Sequence, residues 1–367
     1  MNIMLNTLVA FSNEYGSDPE LVLAGGGNTS AKDSDTLYIK GSGTTLGTIT
    51  ADGFVKMDRK KLSFMMEKDY PESDKEREAA ALADMMDAKY PGQESKRPSV
   101  ETLLHALFST KFVLHLHPAA VNGLTCAVDG KNRTMKLFPE AVWVEICKPG
   151  YILAKLCAER MDEYRAVYGK EARLLFLQNH GVFFAADTRE ELAQMLDDVT
   201  EKISAELADY PDFSDSDVSV DNALCQKIAK LYSDTAAAVH DVSKQSVGFS
   251  ESEESVAPLM KPFTPDHIVY CKANPLYVES ERNLETDFAD YKEKYGYAPK
   301  IVVVKGKGFF AVSDNEKQAL TAQLLFRDAM KIAVYSRSFG GYLPMTDEMT
   351  DFIVNWEVEA YRAKQAQ

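Results

Sequence analysis

Two histidines stand one residue apart in the segment Phe112–His117, which is rich in β-branched and aromatic residues and stops at Pro118. Such a segment is typical of a β-strand, and side chains two positions apart on a strand point to the same side. His115 and His117 can therefore reach one divalent metal ion together, at the roughly 2.0–2.1 Å of a zinc–imidazole bond. A third ligand must come from another segment.

His180 lies between two short apolar runs, Leu174–Leu177 and Val182–Ala185. The pattern predicts two strands joined by a turn, from which the imidazole can project as the third ligand. Three neutral imidazoles leave coordination positions open, as catalytic rather than structural zinc sites do. Spacing alone makes His180 a weak assignment, because a single histidine is more often a structural residue than a ligand. The remaining histidines are interpreted as structural: His105, His240 and His267.

Glycine-rich segments at Gly25–Ser30, after the predicted strand Leu21–Ala24, and at Gly41–Gly43 predict tight turns with exposed amides. Ser99 is predicted to cap a helix that carries Glu101. Glycine-loop amides and a helix N-terminus are groups that bind anions. Taken alone, each glycine loop is better explained as a plain turn than as an anion site.

The composition is that of a globular enzyme, with 367 residues, 45% hydrophobic and 26% charged, and the length predicts two lobes. The net charge of −15, without a basic stripe, argues against nucleic-acid binding. Five scattered cysteines indicate a reducing compartment. Met1–Phe11 is mildly apolar but lacks a basic n-region and a small-residue cleavage site, and no apolar run approaches eighteen residues. We therefore expect a cytoplasmic protein that does not span a membrane.

Composition changes near residue 210, and we predict one domain over residues 1–210 and a C-terminal lobe over 211–367. Two segments rich in Asp, Ser and Glu, Asp209–Asp221 and Ser243–Ser255, are predicted as linkers. The segment between them, Asn222–His240, is predicted as a helix.

One internal similarity lies in the second lobe, where Ile301–Asp314 aligns without gaps with Leu174–Asp187. Two interpretations remain open: a chance resemblance of two hairpins, or a partial, degenerate copy of the first domain. A copy could not hold the metal, because Lys307 stands where His180 stands.

Five motifs occur in the order seen in the class II aldolase/adducin family: Gly26-Gly-Asn-Thr-Ser30, Lys40-Gly-Ser-Gly43, Arg97-Pro-Ser-Val-Glu101, His115-Leu-His-Pro118 and Gln178-Asn-His-Gly181. Over about residues 5–207 the chain is similar to that family, and it most resembles the aldolase part of rhamnulose-1-phosphate aldolase/dehydrogenase fusions. The resemblance implies a three-layer α/β fold with a mainly antiparallel central sheet between helices, followed by a smaller α/β second lobe.

The resemblance also implies residue roles, with Glu101 as the catalytic acid/base. Val100 departs from the family pattern, which commonly has a serine there, and the family's tyrosine from a neighbouring subunit cannot be placed among 17 tyrosines. The bound ion would be Zn²⁺, with Mn²⁺ or Co²⁺ as alternatives. The implied metal ligands are His115, His117 and His180, and the implied substrate- and phosphate-binding residues are Gly27, Asn28, Ser42, Gly43 and Ser99.

The activity implied is that of a zinc-dependent aldehyde-lyase. It would cleave a ketose 1-phosphate, similar to rhamnulose or fuculose phosphate, to dihydroxyacetone phosphate and a short aldehyde through a metal-stabilised enediolate. Glu101 would protonate C3, and burial is expected to raise its pKa toward neutrality. The alternatives are a sugar-phosphate 4-epimerase or dehydratase on the same site, and a non-catalytic, adducin-like binding protein. The family also implies a homo-oligomer, a tetramer.

Overall fold

The computed structural model describes residues 3–356. Contacts divide the chain into two compact units, one made of Met1–Val121 and Lys131–Ala205, the other of Asn122–Gly130 and Glu206–Gln367. The predicted boundary at residues 210 and 211 stays a prediction, and residues 357–367 of the predicted lobe lie outside the described residues. None of the helices in residues 3–356 has the length and apolar character that a membrane crossing requires.

The first unit is built on a seven-stranded sheet with the order β3-β2-β1-β4-β7-β6-β5. Neighbouring strands are antiparallel, except for the parallel pair of β5 and β6. The mainly antiparallel sheet that the resemblance implied is therefore confirmed. The strands are β1 Asn28–Lys32, β2 Thr36–Lys40, β3 Phe54–Asp58, β4 Phe112–Leu116, β5 Val142–Val144, β6 Leu174–Leu177 and β7 Gly181–Ala186.

Helices cover both faces of this sheet, which gives the expected three layers. The helices from residue 3 to residue 204 are α1 Ile3–Gly16, α2 Arg59–Glu67, α3 Asp74–Asp87, α4 Thr102–Leu107, α5 Ala119–Thr125, α6 Gly130–Leu137, α7 Tyr151–Tyr168 and α8 Arg189–Ser204. Helices α2, α3, α4 and α7 share one apolar core with the sheet, whereas α1 and α8 contact β1 and β7 and contribute nothing to that core.

Two sequence predictions at the edge of this sheet are wrong. Leu21–Ala24 forms no strand, because Ala24 adopts a left-handed backbone (φ 49°) and the first strand begins only at Asn28. Ser99 does not cap the following helix, since α4 begins at Thr102 with Glu101 at the N-cap position and no side-chain cap. Instead, Ser99 Oγ accepts from the Glu101 amide at 3.3 Å in the turn before the helix.

The second unit contains a four-stranded sheet with the order β8-β11-β10-β9, formed by β8 Ala237–Asp241, β9 Leu276–Val278, β10 Ile301–Val304 and β11 Gly308–Ser313. Its helices are α9 Asn222–Tyr232, α10 Lys244–Ser250, α11 Glu253–Val256, α12 Pro265–Cys271, α13 Leu284–Tyr295, α14 Glu316–Tyr335 and α15 Asp347–Val354. Helices α9 and α13 share a core with one face of the sheet. On the other face, Phe326 of α14 packs edge-on against Phe309.

Two predictions in this unit are also wrong. The predicted helix Asn222–His240 ends at Tyr232, and its last residues form β8. The predicted linker Ser243–Ser255 forms α10 and α11, because Ser243 and Ser252 accept backbone hydrogen bonds as helix N-caps. The serines that indicated a linker are therefore capping residues.

Residues 122–130 follow β4 in sequence but pack within the second unit. The Leu343 amide donates to the Cys126 carbonyl at 2.7 Å, and the Val128 amide donates to the Gly341 carbonyl at 3.0 Å. The first unit is thus assembled from two stretches of chain.

Candidate metal centre

His115 lies in the middle of the seven-stranded sheet, on β4, with Asn28 of β1 on one side and Phe183 of β7 on the other. Its ring is fully buried and stacks on Phe183, with ring centroids 4.0 Å apart. His117 follows at the end of the strand, and its amide donates to the Leu21 carbonyl at 3.1 Å. The Nε2 atoms of His115 and His117 lie 2.9 Å apart, as the spacing on a strand predicts.

The tautomer of His115 follows from its second ring nitrogen. Nδ1 lies 3.0 Å from the Val182 carbonyl, which can only accept, so Nδ1 carries the proton. Burial lowers the pKa of His115 to about 4, so the ring is neutral at pH 7. Nε2 therefore presents a lone pair toward His117, in the arrangement that metal-ligating histidines use.

His180 projects from the turn between β6 and β7, as expected. Asn179 holds the turn in a left-handed backbone conformation (φ 55°). A Cβ atom on Gly181 would lie 2.5 Å from the Leu116 carbonyl and 2.8 Å from His117 Cδ2, so only glycine lets this turn approach β4. The turn brings the three histidine ligand atoms within 4.8 Å of one another.

Glu101 lies beside the histidines, with Oε1 3.3 Å from His115 Nε2 and 3.1 Å from His180 Nε2. Burial raises the pKa of this carboxyl, but His115 and His180 outweigh burial and hold its pKa well below the usual range. The expectation that this pKa rises toward neutrality is wrong in direction, because it counted burial and omitted the two imidazoles. Glu101 is therefore a carboxylate at rest.

The arrangement fits a divalent cation. Oε1 of Glu101 is a buried oxygen without a hydrogen-bond donor among the described residues. It faces the Nε2 atoms of His115 and His180, and a buried carboxylate oxygen is costly unless a donor or a cation satisfies it. His115, His117 and His180 form a group that can hold a metal ion. Nitrogen ligands of this kind suit Zn²⁺ and other first-row divalent ions.

The two glycine loops lie side by side next to this cluster. Strands β1 and β2 pair antiparallel, so the loop before β1, which carries Gly27, and the loop after β2, which carries Ser42, leave the sheet at the same end. Gly27 (φ 59°) also packs against β4, since a Cβ atom there would lie 2.8 Å from the His115 carbonyl. The Lys40 side chain donates to the Gly25 carbonyl at 3.1 Å, so the end of β2 contacts the first glycine loop at the end of the sheet where His115 lies.

Ser99 joins these loops through backbone hydrogen bonds. Its amide donates to the Lys40 carbonyl at 3.0 Å, and the Ser42 amide donates to the Arg97 carbonyl at 2.8 Å. Gly43 (φ 84°) completes the turn. The predicted contribution of the N-terminus of α4 to an anion site stays a prediction, and this helix is six residues long.

Sequence reasoning missed the network behind Glu101. Asn28, predicted as a phosphate-site residue, donates from Nδ2 to Glu101 Oε2 and, at 3.2 Å, to Ser99 Oγ. His105 is fully buried and contacts Asn28 Oδ1 and, at 2.7 Å, Ser30 Oγ. The available signals were the i, i+2 pair of Asn28 and Ser30 on one strand and the four-residue step from Glu101 to His105.

Residues 6–207, which include all of these side chains, match the family described as Class II Aldolase and Adducin N-terminal domain. A curated relative, the uncharacterized oxidoreductase YuxG of Bacillus subtilis (strain 168), is 23% identical over 406 aligned positions. The alignment covers 97% of this chain but only 57% of that protein, so the chain spans little more than half the length of this relative.

Two solved structures are similar to a little more than half of the chain. The N-terminal class II aldolase domain of a conserved protein from Thermoplasma acidophilum is 28% identical, with a TM-score of 0.47, and the match covers 56% of this chain and 94% of that one. L-fuculose-1-phosphate aldolase from Thermus thermophilus is 16% identical, with a TM-score of 0.36 and coverage of 56% and 94%.

Proposed function

Because the chain belongs to the class II aldolase and adducin family, we propose that it is a divalent-metal-dependent aldehyde-lyase. Its substrate would be a ketose 1-phosphate similar to rhamnulose or fuculose phosphate. Cleavage between C3 and C4 would yield dihydroxyacetone phosphate and a short aldehyde. The ion would be Zn²⁺, with Mn²⁺ or Co²⁺ as alternatives, held by His115, His117 and His180.

One observation carries this proposal: a carboxylate oxygen, Glu101 Oε1, lies 3.1–3.3 Å from two of the three convergent imidazoles. Asn28 binds the other oxygen, Oε2, so Oε1 is the oxygen of this carboxylate that is available to move a proton. Three histidine ligands leave coordination positions open for substrate oxygens. A lyase that works through a carbanion-like fragment requires these two features together.

The ion, when bound, supplies a Lewis acid that stabilises negative charge on the substrate oxygens. Glu101 moves the proton at C3. In the addition direction the resting carboxylate removes a proton from C3 of dihydroxyacetone phosphate, and C3 bonds to the aldehyde carbon. The aldehyde oxygen then takes a proton from the second acid/base, which the family resemblance assigns to a tyrosine of a neighbouring subunit. In the cleavage direction that tyrosine, deprotonated, takes the proton of the C4 hydroxyl as the aldehyde forms and the C3–C4 electron pair stays with C3. Glu101, protonated from solvent beforehand, gives its proton to C3 and returns to the carboxylate, and the tyrosine releases its proton to solvent.

The substrate phosphate would bind to the adjacent loops that carry Gly27, Ser42, Gly43 and Ser99, whose amides and hydroxyls are suitable donors. Asn28 borders both this site and Glu101. It would therefore connect the phosphate-bearing end of the substrate to the proton-moving end. The family resemblance further implies that the enzyme is a homo-oligomer, with a tyrosine from a neighbouring subunit near C4.

A substrate screen tests the proposal. Purified protein with added zinc is incubated with several ketose 1-phosphates, and dihydroxyacetone phosphate is measured with a coupled dehydrogenase. We expect cleavage of at least one substrate and a loss of about 10²–10⁴-fold in kcat for Glu101→Gln, as for removal of a general acid/base. Glu78→Gln is a matched control, because Glu78 is equally buried at 8% exposure but pairs with Arg77 outside the site.

The other outcomes distinguish the alternatives. Interconversion of two sugar phosphates without cleavage indicates a 4-epimerase, and loss of water without cleavage indicates a dehydratase. A protein that binds no metal and transforms none of the substrates would support an adducin-like binding function. Each of these results would end the lyase proposal.

The name of the Bacillus subtilis relative suggests oxidoreductase chemistry for that longer protein. Within residues 3–356 each sheet contains a single parallel pair of strands. Dinucleotide-binding folds of the Rossmann type instead use mostly parallel sheets. The proposed function therefore rests on the metal centre of the first unit.

A further inference from the structure

A chain of hydrogen bonds connects His105 to Glu101 through Asn28. His105 Nδ1 lies 2.7 Å from Ser30 Oγ, His105 Nε2 contacts Asn28 Oδ1, and Asn28 Nδ2 contacts Glu101 Oε2. The four residues are between 0% and 8% exposed, so water does not compete for these bonds. The directions of the bonds therefore decide how Glu101 is held.

Each direction can be assigned from the atoms involved. The amide oxygen of Asn28 only accepts, so His105 Nε2 donates. Burial holds the pKa of His105 well below its usual range, so the ring is neutral and Nδ1 accepts from the Ser30 hydroxyl. With its oxygen bound to His105, Asn28 must turn Nδ2 toward Glu101. The reverse orientation would place an amide oxygen against a carboxylate oxygen.

We propose that His105 is a positioning residue, which orients the Asn28 amide so that Glu101 is held by Oε2 and presents Oε1 to the three histidines. The proposal rests on the proposed function, in which Glu101 moves a proton. Phe183 couples the two parts of the site, because it stacks on His115 and meets His105 edge-on at 5.3 Å. A proton-moving oxygen displaced by about 1 Å can lose on the order of 10²-fold in rate.

The tautomer of His105 tests the proposal without any substrate. In zinc-loaded protein labelled with ¹⁵N-histidine, long-range ¹H–¹⁵N correlations identify which ring nitrogen carries the proton. His105→Gln assigns the signals of His105 among the six histidines. A neutral Nε2–H ring supports the proposal, whereas an Nδ1–H ring overturns it because Asn28 would then have the opposite orientation.

Kinetics provide the second readout. His105→Leu fills the space but cannot donate, and we expect kcat to fall about 100-fold while KM and zinc content stay within threefold of the wild type. His105→Gln restores a donor toward Asn28 and should recover at least tenfold of that loss. His240→Leu, which removes a buried histidine of the second unit, is the matched control and should leave kcat unchanged.

The outcomes separate the two proposals. Unchanged kcat in His105→Leu overturns the positioning role, and so do equal losses in the Leu and Gln variants with zinc lost from both. A wild-type protein that cleaves no ketose 1-phosphate, but shows the Nε2–H tautomer, counts against the proposed lyase activity alone.

A different observation, the strand order of the second sheet, carries a second proposal. The order β8-β11-β10-β9 repeats β4-β7-β6-β5 of the first sheet, with the same strand directions. The register also matches, since His240 faces Phe310 as His115 faces Phe183. In both cases the histidine ring stacks on the phenylalanine, with centroids 3.9 and 4.0 Å apart.

The connecting elements correspond as well. Helices α9, α13 and α14 occupy the chain positions of α4, α7 and α8 relative to their strands. In the hairpin turn, Gly306 (φ 69°) takes the left-handed position of Asn179 (φ 55°). The helix after each hairpin begins at a side-chain N-cap, Thr188 in the first unit and Asn315 in the second. Chance resemblance of two hairpins does not account for this series.

In the second unit, different residues occupy positions that correspond to those of the candidate metal site. Lys307 takes the place of His180, and its Nζ lies 3.0 Å from Asp221 Oδ2 and 2.5 Å from Glu281 Oε1. Asp221 precedes α9 at the N-cap, as Glu101 precedes α4. His240 remains, but its Nε2 donates to the Lys307 carbonyl at 2.8 Å.

We infer that residues 222–335 are a partial copy of residues 102–204, in which the ammonium group of Lys307 takes the place of the metal ion. The partly exposed ammonium group between Asp221 and Glu281 supplies the positive charge there, so a bound metal is unnecessary. This inference does not depend on the lyase activity.

Thermal unfolding of metal-saturated protein tests it. Lys307→Ala should lower the Tm by about 1–3 °C, the effect of losing a partly exposed ion pair in a unit of this size. Millimolar Mg²⁺ should restore at least half of that loss in the variant and leave the wild-type Tm unchanged. Lys305→Ala is the control, because Lys305 pairs with Glu279 at the surface, and its Tm should move by less than about 1 °C. An unchanged Tm in Lys307→Ala, or a loss that Mg²⁺ does not reverse, overturns the inference.

Discussion

The ring of His115 lies flat on the ring of Phe183, with centroids 4.0 Å apart and planes 13° apart. Together with the hydrogen bond from Nδ1 to the Val182 carbonyl, this stack fixes the direction in which Nε2 points. The orientation of this candidate metal ligand is thus set by a neighbouring strand in the absence of an ion. Groups that orient a ligand in this way typically affect metal affinity by 10–100-fold.

Replacement of Phe183 should therefore weaken zinc binding beyond what a similar loss of stability in the second unit would do. For Phe183→Leu we expect the Kd for zinc to rise about tenfold, by competition with a chromophoric chelator. Phe310→Leu removes the equivalent, fully buried ring beneath His240 and provides the matched control. Both variants should lose about 1–2 kcal/mol of stability. Equal zinc affinity in the two variants would show that the stack does not orient the ligand.

Removal of a ligand should abolish the metal site. His115→Ala and His180→Ala are expected to reduce bound zinc from about one ion per chain to less than a tenth of that, measured by atomic absorption after dialysis. The reason is that two imidazoles alone hold zinc far more weakly than three. His240→Ala should retain the full zinc content, because that histidine bonds to the Lys307 carbonyl. Wild-type zinc content in His180→Ala would disprove the ligand set.

Gly181 should not tolerate a methyl group. In Gly181→Ala the new Cβ would meet the Leu116 carbonyl and His117 Cδ2, so the turn or the imidazole must move. We expect a stability loss of about 1–3 kcal/mol and at least tenfold weaker zinc binding. Gly248→Ala is the control, since nothing lies within 4 Å of a Cβ there, and its zinc affinity should equal that of the wild type. Wild-type zinc binding by Gly181→Ala would contradict the close approach.

Because of Lys32, the free energy of unfolding should rise with pH above neutrality. Burial lowers the pKa of its amine from 10.5 to about 7, and Nζ donates to the carbonyls of Phe108 and Thr110. The unfolded chain therefore binds more protons between pH 7 and 10.5, so the free energy of unfolding should rise with pH over that range. The slope from this residue approaches about 1.4 kcal/mol per pH unit.

Urea unfolding at pH 7, 8 and 9 measures this slope. Lys32→Met should lack the contribution, although it also leaves two carbonyls without a donor, so the slopes and not the absolute stabilities are compared. Lys60→Met, at an exposed position of α2, should keep the wild-type slope. Parallel profiles for the wild type and Lys32→Met would show that Lys32 does not titrate in this range.

The sequence predicted the parts of the site that depend on local periodicity. The i, i+2 spacing of His115 and His117 on an apolar strand is sufficient to place both imidazoles on one face. Local periodicity does not identify His180, and only the order of the family motifs did. His180 lies 63 positions after His117, and it reaches the same point because of the tight turn at Gly181. Glu101 was found in the same way.

The remainder could not be read from local patterns because it depends on pairing across the sheet. The low pKa of Glu101 arises from imidazoles on β4 and in the β6–β7 turn, which the sequence of its own helix does not reveal. The role of Asn28 follows from lying next to His115 in the register of β1 and β4. Likewise, His240 was assigned to a helix because the strand that pairs with it, β11, lies about 70 residues further along the chain.

Because residues 122–130 belong to the second unit, the chain cannot be divided into its two units by a single cut. The backbone passes from one unit to the other after Val121, after Gly130 and after Ala205, so no single cut separates them. A truncation after residue 205 keeps Cys126 and Val128 but removes their partners Leu343 and Gly341. Recombination at one position could therefore neither add nor delete the second unit cleanly, and the two halves of the sequence are expected to be inherited together.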